Sequence, residues 1–167
     1  MKRSFLVRKA CPGDFDALCA LYEEIDEHHR EARPDLFRVP VGERRERSAV
    51  AALIEGDDST ILVAEDGSLL LGFVTMIVKT VPANIVRDER RFAEIDNLVV
   101  RAGARRQGIA HALVDAGAAW ASARAIETLE LSVYAFNIGA LAFYRSEGFD
   151  PLVVRMTRPL RGQRHRQ

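Results

Sequence analysis

The chain has 167 residues, enough for one ordinary domain with a real core. Its 24 Lys and Arg balance 24 Asp and Glu, so no global field draws it to nucleic acid or to a membrane surface. Cys11 and Cys19 are eight residues apart along an expected helix, about 12 Å and too far for a disulfide, and unpaired thiols suit a reducing compartment. The N-terminus MKRSFLVRKA lacks a continuous apolar core, and no apolar run is long enough to cross a bilayer. Cytoplasmic residence is the expectation.

In chain order, Ser4 to Lys9 reads as a strand. Pro12 opens a helix whose Phe15, Leu18, Cys19, Tyr22 and Ile25 form an apolar stripe, read as core. Arg30 to Pro40 reads as a loop, and Gly42 to Glu55 as a second helix. Thr60 to Glu65 and Leu69 to Val81 form a hairpin through Asp66-Gly67-Ser68. Phe92 to Val100 is a further strand. Gly108 to Arg124 is an Ala-rich helix with Leu113, Val114, Gly117 and Ala121 at packing intervals. Ile126 to Tyr134 alternates as a strand, Ile138 to Glu147 is a short helix, and a last strand is expected near Phe149 to Thr157. The order βααββ-βαβαβ predicts an α/β fold: one mixed sheet with helices on both faces, in a single domain over 1–160. A basic tail follows at 161–167. Arg158, Arg161, Arg164 and Arg166 read as a solubilising terminus, with an acidic partner as the other reading.

Two segments carry chemistry. The strand Leu98-Val99-Val100 runs through RAGARRQG into a helix. A helix N-terminus offers N–H groups and a partial positive charge to an anion. Gly108 lets backbone approach a phosphate, Ala110 keeps the next approach small, and Arg105 and Arg106 add charge. Many such junctions bind nothing, so this signal alone is balanced against an ordinary turn. There is no GxxxxGK[ST] and no GxGxxG after the first strand. The other segment is Asn137 to Phe149. Asn137 can cap a helix, Ala140, Phe143 and Tyr144 share one helix face and its edge, and Gly148 ends the helix.

Together these motifs resemble the GCN5-related N-acetyltransferase (GNAT) superfamily. Arg105-Arg106-Gln107-Gly108-Ile109-Ala110 matches its [QR]-x-x-G-x-[GA] signature, preceded by Leu98 and Val100 of the L-x-V strand. Asn137, Ala140, Phe143, Tyr144, Gly148 and Phe149 match its N-x-x-A-x-x-F-Y-x-x-x-G-F element. The family often has proline where this chain has Ala102, and glycine where it has Ala110. The resemblance implies that residues 106–110 hold the diphosphate of acetyl-CoA. It also implies that the edge Leu98 to Val100 pairs with pantetheine through a splay between neighbouring strands, that Asn137 touches that arm, and that Tyr144 reprotonates the CoA thiolate. Glu94 in FAEI resembles the base of histone-acetylating members. Asp96, two residues on and on the same strand face, is the alternative. The segment HHREARPDLFRVP would wall the acceptor cleft, with His28 and Phe37 as contacts. His28 and His29 without a spaced third ligand make no metal site.

Acetyl-CoA is the expected co-substrate, with no metal. The expected partner is a small-molecule or peptide amine, without nucleic acid or membrane, and a homodimer is left open. The expected activity is direct acetyl transfer to a primary amine. A non-catalytic acyl-CoA sensor on the same fold is the alternative, and a nucleic-acid-interacting protein using the basic tail is a third reading.

Overall fold

A computed structural model describes residues 4–40, 42, 45–158 and 160; the tail at 161–167 lies outside them. It divides into two compact units, Met1–Ser132 and Val133–Gln167.

The first unit holds one five-stranded sheet in the order β1-β2-β3-β4-β5. Its strands are β1 (Leu6–Lys9), β2 (Ser59–Asp66), β3 (Leu69–Val81), β4 (Arg90–Val100) and β5 (Leu129–Leu131). The first four pair antiparallel and β4 pairs parallel with β5, so the sheet is mixed. A short 3-10 turn at Pro12–Asp14 leads into α1 (Phe15–Ala32), followed by α2 (Arg47–Glu55) and α3 (Ile109–Ser122).

Strand alternation assigns the faces. Phe73 and Thr75 point one way, and Val74 and Met76 the other. The apolar stripes of α1 (Leu18, Leu21, Tyr22) and α2 (Val50, Ile54) share a core with Ile61, Val63, Phe73 and Val99. On the opposite face α3 packs so closely that a methyl on Gly117 would lie 2.8 Å from Met76 Sδ. Helices therefore cover both faces of the sheet, as the sequence order predicts.

Several boundaries differ from expectation. Helix α1 runs past Arg30 to Ala32 and stops at Arg33, the residue before Pro34, where helical backbone is disfavoured. Helix α2 starts at Arg47 instead of Gly42; Gly42 is left-handed (φ 89°) and Glu46 is extended. Strand β5 is three residues instead of nine, because Ile126 is drawn into the end of α3 by its N–H bond to Ala121 O (3.2 Å).

The second unit contains α4 (Ile138–Ser146). The expected closing strand near Phe149 to Thr157 is not formed: no strand follows α4 among the described residues. A strand exists only as one member of a ladder, and the described residues of this unit hold no other strand. Leu152, Val153, Val154 and Met156 are exposed, and as a run of three consecutive apolar residues Leu152–Val154 lacks the alternation that would seat one face.

Cys11 and Cys19 are both free thiols. Among the described residues no helix is long and apolar enough to cross a membrane.

Candidate acetyl-CoA and acceptor site

The edge of β4 comes first. Its parallel pairing with β5 covers Ala93–Ile95 against Leu129–Leu131. Beyond Ile95 no strand pairs with that side of β4 among the described residues, so the edge alongside Leu98, Val99 and Val100 is open to an added extended chain. On the other side β3 stays in register through Gly72↔Val100. A Cβ on Gly72 would lie 2.4 Å from Val99 O, so this position demands glycine.

Directly after that edge the chain makes the turn expected of an anion cradle. A 3-10 turn at Ala102–Ala104 leads to two left-handed residues, Arg106 (φ 60°) and Gly108 (φ 85°). Gly108 is the N-cap of α3. Glycine adopts this conformation freely; arginine does so at a cost of roughly 1–2 kcal/mol per residue, and such strain persists where the surroundings enforce it. Arg105 Nε donates to Val100 O (3.2 Å) and Gln107 Nε2 to Gly103 O (3.5 Å), so these two side chains brace the turn they belong to. Leu98, Val99, Val100 and the run Arg105–Ala110 thus form one continuous stretch of open edge, turn and helix start. The N–H groups of the first turn of α3 have no partners within the helix.

Glu94, Asp96 and Asn97 share one face because β4 carries a bulge. Thr75 pairs with Asn97 while Met76 pairs with Ile95, leaving Asp96 as the extra residue. Adjacent strand residues normally point apart, yet Asn97 Nδ2 donates to Asp96 Oδ2 at 2.5 Å. Across from them Tyr22 is buried, and its hydroxyl shares a 3.4 Å hydrogen bond with Thr75 Oγ1. The guanidinium of Arg45 lies 4.4 Å above the Tyr22 ring and donates to Asp26 (2.9 Å).

The two carboxylates differ. Glu94 pairs with Lys79 at 3.4 Å. Asp96 reaches solvent, but the protein packed around its carboxyl desolvates it, and the Glu94 charge adds to the effect, so its pKa is raised. Asp96 therefore binds a proton more readily than an ordinary aspartate.

The other expected acceptor residues lie on α1 and the segment after it. Phe37 stacks on His29 (5.1 Å), and His28, which is exposed, is tilted against His29 at 6.0 Å. Burial and the neighbouring His28 push the His29 pKa down, favouring a neutral imidazole. A cavity of about 530 Å³ is walled by residues 36–40 together with Asp26 and Arg45. Tyr22, Asp26 and Arg45 were not legible as site residues: Tyr22 fits the core stripe, and its hydroxyl was the one available hint.

In the second unit Asn137 caps α4, its side chain accepting from Ala140 N–H (3.1 Å). Gly148 (φ 86°) closes the helix, with Phe149 N–H bonding Tyr144 O (3.0 Å). Tyr144 meets Phe143 and Phe149 with ring centres 5.4 and 5.6 Å away. Burial pushes its phenol up to about 12.

Comparison with known proteins agrees with this architecture. Residues 19–149 match the acetyltransferase (GNAT) family. No curated protein matches the sequence. Among solved structures, a tetramutant of the BH1408 protein from Bacillus halodurans is 27% identical, with TM-score 0.87, over 93% of this chain and 99% of that one. An aminoglycoside acetyltransferase from an uncultured soil metagenomic sample, in complex with sisomicin, is 20% identical with TM-score 0.68, over 94% and 97% of the two chains. The aminoglycoside N-acetyltransferase AAC(6')-Iy, in complex with CoA, is 13% identical with TM-score 0.71, over 95% and 96%.

Proposed function

The chain belongs to the acetyltransferase (GNAT) family, and from that premise we propose that it transfers acetyl from acetyl-CoA directly to the primary amine of a small molecule or peptide. The observation that carries this reading is the open edge of β4 running without interruption into the left-handed turn before α3. An extended pantetheine arm bonds to such an edge as an added strand would. The N–H groups of Arg106 to Ala110 take the diphosphate, with the dipole of α3 favouring negative charge there. A fold relative holding CoA supports the same donor, and the free thiols suit a reducing, cytoplasmic setting.

The reaction needs an amine without its extra proton, a polarised thioester and a proton for the departing thiolate. We assign the first task to Asp96, in preference to Glu94, because its raised pKa makes it the better base while Lys79 occupies Glu94. A backbone N–H near Val100 polarises the carbonyl. Tyr144 supplies the proton, and Asn137 contacts the pantetheine arm. The cavity beside Phe37 and Arg45 receives the body of the acceptor, with His28 assigned as a further contact.

The test is thiol release from acetyl-CoA across polyamines, aminoglycosides, amino acids and short peptides. Aminoglycosides are included because two fold relatives are aminoglycoside acetyltransferases. Turnover with an amine, abolished by N-methylation to the quaternary ammonium, supports the proposal. Binding of acetyl-CoA with no thiol release on any amine would replace it with a sensor.

A further inference from the structure

The diphosphate turn is held from outside by one side chain of α1. Ala102 N–H donates to Glu24 Oε2 at 3.0 Å, across 78 residues of sequence. The other oxygen of the same carboxylate, Oε1, faces Arg101 Nη1 at 3.5 Å. Arg101 in turn donates from Nε to Leu70 O (3.2 Å) and from its backbone N–H to Leu71 O (2.8 Å). Glu24 stands on a fixed mount, since Leu21 and Tyr22 on the same helix are buried in the core.

We propose that Glu24 is a positioning residue for acetyl-CoA binding: its carboxylate clamps the turn at Arg101–Ala102 and so presets the left-handed backbone that receives the diphosphate. The inference rests on the reading of residues 106–110 as that cradle.

The stretch between β4 and α3 has no ladder of its own, and it contains a left-handed arginine. Without a tether the ligand must order it, and that cost is subtracted from affinity. A charge-assisted N–H to carboxylate bond is about twice as strong as a neutral one, which suits a single-point tether.

The backbone at Ala102 points the same way. Arg101 has φ −45° and ψ 134°, and Ala102 opens a 3-10 turn. The ψ of Arg101 is one that a residue before proline adopts, and the first position of such a turn is one that proline tolerates. Alanine in this slot leaves an N–H that proline would lack, and Glu24 uses it. A ring and a clamp are thus two ways of stiffening the same turn, and this chain uses the clamp.

A tether of this kind acts on donor binding and leaves the chemical step alone. Glu24→Ala is expected to raise the KM for acetyl-CoA about tenfold, with kcat within about twofold. Glu24→Gln keeps an oxygen acceptor but loses the charge, and falls between, at roughly threefold. Adding Ala102→Pro to Glu24→Ala should return KM toward the parent value, because the ring supplies the lost rigidity. Ala102→Pro alone should raise KM, since the ring Cδ would take the place of the N–H and collide with the Glu24 oxygen that lies 3.0 Å from that nitrogen. A purely structural role for Glu24 would not produce that reversal.

Unchanged KM in Glu24→Ala, a fall in kcat at constant KM, or failure of the proline to rescue would each overturn the clamp. Melting of each unliganded variant is recorded alongside, and Glu24→Gln carries the test if the alanine variant does not fold. Gly108→Val separates the two levels. If it abolishes acetyl-CoA binding while Glu24→Ala is silent, the cradle stands and the clamp falls. If Gly108→Val leaves the KM unchanged, the cradle falls and the clamp with it.

Discussion

At single positions the chemistry turns on protonation. With its phenol near 12, Tyr144 stays protonated through the whole working range, so it remains a proton donor at any ordinary assay pH. Tyr144→Phe is expected to lower kcat on the order of a hundredfold, the usual scale for losing a general acid, with little change in acetyl-CoA KM. The parent pH profile should show no alkaline limb from this residue below pH 10; such a limb that vanished in Tyr144→Phe would contradict the assignment. Asp14 works in the opposite direction. Arg8 donates to both its oxygens (2.7 and 2.9 Å) and holds its pKa at about 2. Its stabilising contribution is therefore full above the ordinary carboxylate value of 3.8 and is lost as pH falls through 2. Asp14→Asn should cost roughly 2 kcal/mol at neutral pH, as expected for a bond to a charged group, and should flatten the acid limb of a pH-stability curve. Thr60 presents a buried hydroxyl with no partner. Thr60→Val removes that polar group at equal shape and is expected to raise stability by about 1 kcal/mol, read by urea unfolding.

Between elements, the approach of β3 to β4 is fixed by the missing side chain at Gly72. Gly72→Ala would drive a methyl into the Val99 carbonyl, which is backbone and cannot step aside, so a loss of about 1–3 kcal/mol is expected. The comparable contact at Gly117 meets the thioether sulfur of Met76, a side chain that can turn where backbone cannot, so Gly117→Ala should cost less. Equal losses in the two variants would show that the strand edge yields as easily as a thioether. Element type was largely legible in the sequence because the apolar periods of α1, α3 and the β2–β3 hairpin are strong. The lengths of β5 and α2 were not, since they depend on Ile126 joining the end of α3 and on left-handed Gly42. The closing strand was misread for a related reason: apolar residues report a wish for burial, while a strand also needs a neighbour. At the site the turn at 105–110 was readable, because left-handed glycine and a helix start leave a mark in the sequence. The difference between Glu94 and Asp96 was not, because it arises from Lys79, Asn97 and packing across the sheet.

For the whole chain the useful quantity is the free energy that a ligand adds to the native state. If acetyl-CoA is the donor, a hundredfold excess over Kd should stabilise by about 2.7 kcal/mol, a rise in melting temperature of about 5–10 °C for a chain of this size. Desulfo-CoA, which keeps the diphosphate, should retain most of that rise, whereas a diphosphate-free pantetheine should not. With positive and negative charges in equal number, any salt dependence of this binding reports the local cradle and not a global field. A donor effect that was the same for all three ligands would remove the diphosphate from the account.

The bulge in β4 has a consequence for how such a protein can change. Asp96 is the one residue of the strand that the ladder does not count: Ile95 and Asn97 are already paired on either side of it. Deleting it would leave every other pairing in place and give the sheet a more regular strand. The group proposed as the base is thus surplus to folding, and chain length at that point can vary without unravelling the scaffold. Selection for catalysis, and not for a stable sheet, is what would keep this residue in the chain.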